Sequence, residues 1–133
     1  MEIHLGRLLD HVHLRVNDLD VSKAFYRSVL SALGRDIVFE HEHHFSSDEL
    51  FVSKTDDDVS RVHIAFQASS EEQVRRFYEA ALAAGGVNNG TPGERPYHPG
   101  YYAAYVLDPD GNNIEAVFHG AVPRSAPSVV VTI

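Results

Sequence analysis

LDHVHLRVNDLDVSKAFYRSVLSALG, residues 9 to 34, returns in altered form as RVHIAFQASSEEQVRRFYEAALAAGG, residues 61 to 86. With His11 set against His63, the constant offset of 52 also lays Phe25 on Phe77, Tyr26 on Tyr78, Leu30 on Leu82 and Gly34 on Gly86. Self-similarity of this kind marks one supersecondary unit used twice. Each copy opens on alternating apolar residues, Val12, Leu14 and Val16 in the first and Val62, Ile64 and Phe66 in the second. That is the period of a half-buried strand. A helix follows in each copy. The first starts after Asp18 or Asp20 and turns Leu19, Ala24, Phe25, Leu30 and Leu33 inward; the second has Ser69 and Ser70 ahead of Glu72 and Gln73, a capping-box arrangement. Gly34 and the pair Gly85 and Gly86 end them.

Working outward, short β-like runs follow each helix: 36 to 41, 43 to 46 and 49 to 54, then about 94 to 98, 101 to 107 and 112 to 119. Each unit reads βαβββ. The chain is therefore expected to be α+β, with two βαβββ modules forming a curved mixed sheet around a central cleft and the helices on the outer face. Module one covers about 8–55, module two about 60–119, and together with a tail at 120–133 they make a single domain over 1–133. Asp56 to Asp58 mark the connection, and GVNNGTPG at 86 to 93 reads as a loop. Asp108-Pro109-Asp110-Gly111 is turn chemistry for a hairpin between the last two strands. The Val129-Val130-Val131 run in the tail suits an edge strand or a contact with a partner.

Length and composition narrow the function. A chain of 133 residues buries one sizeable core. A formal net charge of -8 argues against nucleic acid, whose binding rests on Lys and Arg neutralising phosphates. No stretch is apolar for long enough to span a bilayer, and no basic-then-apolar signal opens the chain, so a cytoplasmic location is expected. The absence of Cys excludes disulfides and thiolate metal sites.

Strand alternation then sorts the side chains by face. If Val12, Leu14 and Val16 meet their helix, His11, His13 and Arg15 face the other way; in the second unit His63 does the same. On the last strand Ile114, Ala116 and Phe118 form the apolar set, leaving Glu115 and His119 on the polar face. A two-residue turn at Pro109-Asp110 places Ala104 opposite Glu115 and Tyr102 opposite Val117. His11, His63 and Glu115 together make a ligand set for a divalent metal, with coordination positions left open for substrate and water. Imidazole and oxygen donors suit Fe, Mn, Zn, Co or Ni alike. His13 is the rival of His11, although its aligned partner is Ala65. Tyr102, His98 and His119 are candidates to line the pocket and supply protons. Arg95 is a candidate to meet an anionic substrate group. The cluster His41, Glu42, His43 and His44 alternates faces and reads as a solvated strand.

The segments DHVHLRVNDLDVSKAFY, HIAF and YYAAYVLDPDGNNIEAV resemble the vicinal oxygen chelate superfamily, which takes in glyoxalases, bleomycin resistance proteins, fosfomycin-thiol transferases and extradiol dioxygenases. The resemblance spans about residues 8 to 119. It implies metal ligands at His11, His63 and Glu115, and a metal-dependent enzyme (lyase, isomerase, transferase or dioxygenase) that chelates vicinal oxygens of a small substrate. The alternative it implies is a metal-free protein that binds a small molecule or drug, as bleomycin resistance proteins do. It further implies a homodimer in which His11 comes from the neighbour of the chain supplying His63 and Glu115. One departure stands out: where glyoxalase I adds a carboxylate from the last strand of the first module, this chain reads Glu49-Leu50-Phe51-Val52-Ser53, with apolar residues at the centre. That puts lactoylglutathione lyase activity in doubt.

Overall fold

Asp18 and Ser70 begin the two helices, each in extended conformation with its side-chain oxygen accepting the backbone N–H three residues on. At the second, the Gln73 side chain also reaches back, accepting at 2.8 Å from the N–H of Ser69, one residue before the cap. A computed structural model describes residues 1–132. Its elements run β1 (Val12–Val16), α1 (Leu19–Ala32), β2 (Phe39–Glu40), β3 (His44–Ser47), β4 (Leu50–Lys54), β5 (His63–Gln67), α2 (Glu71–Ala83), β6 (Val87–Glu94), β7 (Tyr102–Leu107) and β8 (Asn113–Phe118).

The expected α+β architecture is present, resolved into two four-stranded mixed sheets ordered β1-β4-β3-β2 and β5-β8-β7-β6. In each, the opening strand runs parallel to the closing strand of its own module, and the other pairs are antiparallel. This leaves β1 and β5 as edges. The helices pack on one another, and α2 covers β6, β7 and β8. Leu14, Val16, Phe25, Tyr26, Phe45, Val52, Phe77, Ile114 and Ala116 are fully buried in one continuous cluster, so both modules share a core. On α1 the buried face includes Tyr26 and Val29, while Ala24 is exposed.

Three expectations change. Residues 87 to 94 are strand, not loop. Gly, Asn and Pro are tolerated because β6 is an edge strand whose pairing with β7 shifts register twice, between Asn88 and Gly90 and again before Gly93. Gly90 is required there: a Cβ would come within 2.7 Å of the Tyr105 ring. Of the run expected at 94 to 98, only Glu94 is strand; 95 to 98 form a loop, folded back by Arg95 N–H to Tyr101 and Tyr101 N–H to His98. In the tail, Val129, Val130 and Val131 form no strand and are exposed. Among the described residues no helix is long and apolar enough to cross a membrane.

The Asp108 turn binds the modules together. Its buried carboxylate accepts the Asp110 and Asn112 backbone N–H groups and the Asn112 side chain, and also the hydroxyl of Tyr26 from α1. Burial, and after it the neighbouring Asp108, pushes the Tyr26 phenol well above its ordinary range. Asp110 in turn accepts from the Asn17 N–H and the Ser22 hydroxyl of module one. Removing Asp108 strands several buried donors at once. Asp108→Ala is therefore expected to lower the unfolding free energy by about 3 kcal/mol, and Tyr26→Phe by about 1 kcal/mol, measured by urea denaturation.

Candidate active site

The last hairpin decides what surrounds Glu115. Asp108 N–H donates to Asn112 and Gly111 N–H to Asp108, closing a turn over Pro109, Asp110 and Gly111 in which Gly111 takes a positive φ of 89°. Three-residue hairpin loops commonly place a left-handed residue at this point. The expected two-residue turn is corrected accordingly, and the register moves by one: Tyr105, not Ala104, lies opposite Glu115, and Tyr102 lies opposite Phe118. Side chains at 101, 103 and 105 thus share the face of Glu115. On the other side, parallel pairing sets Ala65 of β5 beside Glu115. Ala65 is thus the small neighbour of Glu115.

Glu115 is 2% exposed. It faces away from the helices, since Ile114 and Ala116 on either side are in the core cluster, whereas Ala103 and Val117, buried apolar residues on the face of Glu115, are not. His63 Nε2 lies 2.9 Å from Glu115 Oε1, and the Tyr101 hydroxyl donates to Oε2 at 2.5 Å. A carboxyl group withdrawn from water needs such partners. Burial first, then the bond to Glu115, raises the Tyr101 phenol far above its usual range; burial and the charge of Glu115 push Tyr105 up to about 12.

The two donor atoms fit adjacent positions on one ion, because ligands about 2.0 to 2.1 Å from a metal and at right angles to each other lie about 2.9 Å apart. His11 does not join them. It is exposed at the entry to β1, with Nδ1 2.6 Å from Asp10. Among the described residues of one chain, no three His, Cys, Asp or Glu side chains form a group able to hold a metal. His13 bonds the Ser53 hydroxyl at 2.7 Å, and Glu49 is exposed in the turn between β3 and β4.

The other candidates divide. His98 and His119 meet through Nε2 and Nδ1 at 2.8 Å, with Tyr101 edge-on to both rings. Tyr102 is on the helix side of the sheet, packed against the core, and accepts from Arg75 at 3.3 Å. Arg95 is tied to the Thr91 carbonyl at 2.7 Å and lies over the Tyr105 ring. Tyr101 and Tyr105 escaped the sequence reading; the alternation YYAAY carried the signal, but only the correct turn length puts those residues beside Glu115.

Module one has its own groove on the corresponding face. Two adjoining clefts of ≈ 380 and ≈ 590 Å³ share Ser46, Asp48 and Phe51, the first also reaching His11 and His13 and the second Phe39 and His44. The His44 ring stacks on Phe39 at 5.5 Å and on Phe51 at 5.0 Å, and His13 meets Phe51 edge-on at 4.8 Å. The composition of this row follows from β-alternation on β1, β3 and β4, but its continuity depends on how the strands pair.

Comparison with known proteins agrees with this architecture. The sequence profile of the Glyoxalase/Bleomycin resistance protein/Dioxygenase superfamily matches residues 8–116. A glyoxalase/bleomycin resistance protein from Albidiferax ferrireducens T118 is 32% identical, with TM-score 0.70 over 83% of this chain and 97% of that one. Lactoylglutathione lyase from Agrobacterium tumefaciens shares the fold at 21% identity and TM-score 0.62, covering 85% of this chain and 94% of the other. So does TioX from Micromonospora sp. ML1, at 17% identity and TM-score 0.65 over 84% and 98%. No curated protein matches the chain.

The raised phenols give a measurable signature. Tyr105 titrates in the folded protein at about 12 against 10.0 for the unperturbed group. Its protonated form is favoured by folding, so its contribution is complete below pH 10 and is lost as pH rises toward 12. Ultraviolet titration of tyrosinate should show at least two of the six tyrosines ionising late, with Tyr101→Phe removing the latest step that precedes unfolding from this face.

Proposed function

The chain belongs to the Glyoxalase/Bleomycin resistance protein/Dioxygenase superfamily, and we propose that it is a divalent-metal-dependent enzyme acting on a small oxygenated substrate. The ion is held by His63 and Glu115 of one subunit and His11 of a second copy. The observation that carries this reading is the 2.9 Å approach of His63 Nε2 to Glu115 Oε1 on the sheet face turned from the helices. When bound, the ion supplies Lewis-acid stabilisation of negative charge developing on a chelated oxygen. Tyr101 orients the Glu115 carboxyl group through Oε2, and the side chain beside it on β5 is the small Ala65.

A composite site is supported by what one chain leaves unpaired. Among the described residues no strand pairs with the outer edge of β1 or β5, although Ser60 takes up the Arg15 N–H and carbonyl of β1; His11 is exposed, and Ile3, Leu5, Leu8, Leu9 and Val62 are exposed apolar side chains near those strands in sequence. Free apolar edges favour pairing with another chain. With no carboxylate inside β4, the reading is a superfamily metalloenzyme and not lactoylglutathione lyase itself; lyase, isomerase, transferase and dioxygenase chemistry all stay within it.

Mixing two defective proteins tests the shared site. His11→Ala and His63→Ala homodimers should each lose the stoichiometric ion. A heterodimer of the two carries one doubly damaged and one intact site, and random re-pairing makes about half of the dimers heterodimers, so about one ion per four chains should return, read by elemental analysis across a size-exclusion peak. Retention of the ion in His11→Ala would remove His11 from the set; absence of any ion from the unaltered protein grown with all five metals would remove the metal reading.

One observation favours a second reading, a metal-free binder of a flat drug: the row of His13, Phe51, His44 and Phe39 rings along the module-one groove. Offset stacking on such rings is worth about 0.5 to 1.5 kcal/mol per contact beyond burial. Calorimetric titration with bleomycin should then give binding that persists without metal and in His63→Ala, and that weakens about tenfold in Phe51→Ala. Absence of heat would exclude bleomycin as its ligand.

A further inference from the structure

His98, in the loop before β7, and His119, just after β8, lie edge to edge in nearly one plane, with ring centroids 5.1 Å apart and an interplanar angle of 19°, and Tyr101 stands edge-on to both. The hydrogen bonds around them determine where the protons are. His98 Nδ1 lies 2.8 Å from the Pro99 carbonyl oxygen. A carbonyl only accepts, so this nitrogen carries the hydrogen, and the neutral ring is bare at Nε2. That bare nitrogen is 2.8 Å from His119 Nδ1, which must then be the donor. A neutral His119 that donates from Nδ1 is bare at Nε2.

The geometry points to His98 as a positioning residue that locks His119 in its Nδ1–H tautomer, making Nε2 the preset proton-accepting nitrogen of a ring that packs against Tyr101. This rests on the reading that a substrate occupies the Glu115 face. A substrate hydroxyl or acidic C–H gives its proton to Nε2, and the electron pair stays on the substrate oxygen or carbon. The imidazolium then donates a charge-assisted bond from Nδ1 to His98. The backbone carbonyl at the far end keeps His98 from offering a competing proton.

The electrostatics agree. Burial, followed by the proximity of His98, lowers the His119 pKa below its ordinary 6.5, with Glu115 opposing the shift. The titratable groups facing it are His98, Tyr101 and Glu115. His119 is thus held unprotonated at neutral pH, as an acceptor must be.

Nitrogen-15 NMR of histidine-labelled, metal-free protein at neutral pH tests the assignment. Both rings should be protonated at Nδ1 and bare at Nε2, and His119 should titrate below 6.5. In His98→Ala, His119 should shift toward the Nε2–H tautomer and its pKa should rise. An Nε2–H His119 in the unaltered protein would overturn the proposal, as would a His119 tautomer indifferent to His98→Ala. The first measurement needs no substitution, so a variant that fails to fold leaves the test intact. Because the spectra are taken without an ion, they stand or fall separately from metal binding at His63 and Glu115.

Discussion

Glu115 sits in the middle of β8 between two core residues, almost wholly out of contact with water. A buried carboxyl group costs several kcal/mol unless hydrogen-bonding partners meet it, so the strands on either side must deliver donors. β5 delivers His63 along a parallel pairing, and the loop into β7 delivers Tyr101 from the antiparallel side. Each donor comes from a different neighbour of the same strand. The chemistry of the face follows from that arrangement: a polar cluster grouped around one carboxyl group, backed by an apolar core one residue away in either direction.

The turn at Asp108 to Asn112 has two roles. Within module two it sets the β7–β8 register, and a shift of one residue there would exchange Tyr105 for Ala104 and turn the tyrosines toward the helix. Between modules it receives Tyr26, Asn17 and Ser22 from the first unit. The same short segment therefore shapes the candidate site and fastens the module that would otherwise be held to it mainly by apolar packing of α1 on α2. Its hydrogen-bonded density explains why the polar side chains of Asp108 and Asn112 are nevertheless buried.

Duplication of the βαβββ unit has a geometric consequence. Each copy leaves its opening strand at a sheet edge with a histidine at or just before its start, and in one chain the two histidines serve different surroundings: His63 meets Glu115, while His11 lies beside a groove of aromatic rings. On the function proposed above, a second copy joins those halves.

Much of this was legible in the residues. The 52-residue repeat, the helix caps at Asp18 and Ser70, the alternation of Leu14 and Val16 with His13 and Arg15, and the placing of Glu115 opposite Ile114 and Ala116 all depend on local periodicity and local hydrogen bonding, which the sequence carries directly. Three things did not depend on local pattern and only the tertiary structure decided them. β6 is a strand despite its Gly, Asn and Pro because an edge position and two bulges relieve what an interior strand could not bear. Tyr101 and Tyr105, not Tyr102, face Glu115 because one residue of turn length changes the parity of every pair in the hairpin. His11 and His63, matched in sequence, are not brought together within a chain, because equivalence in a repeat fixes a residue's place in its own module, whereas proximity depends on how modules pack.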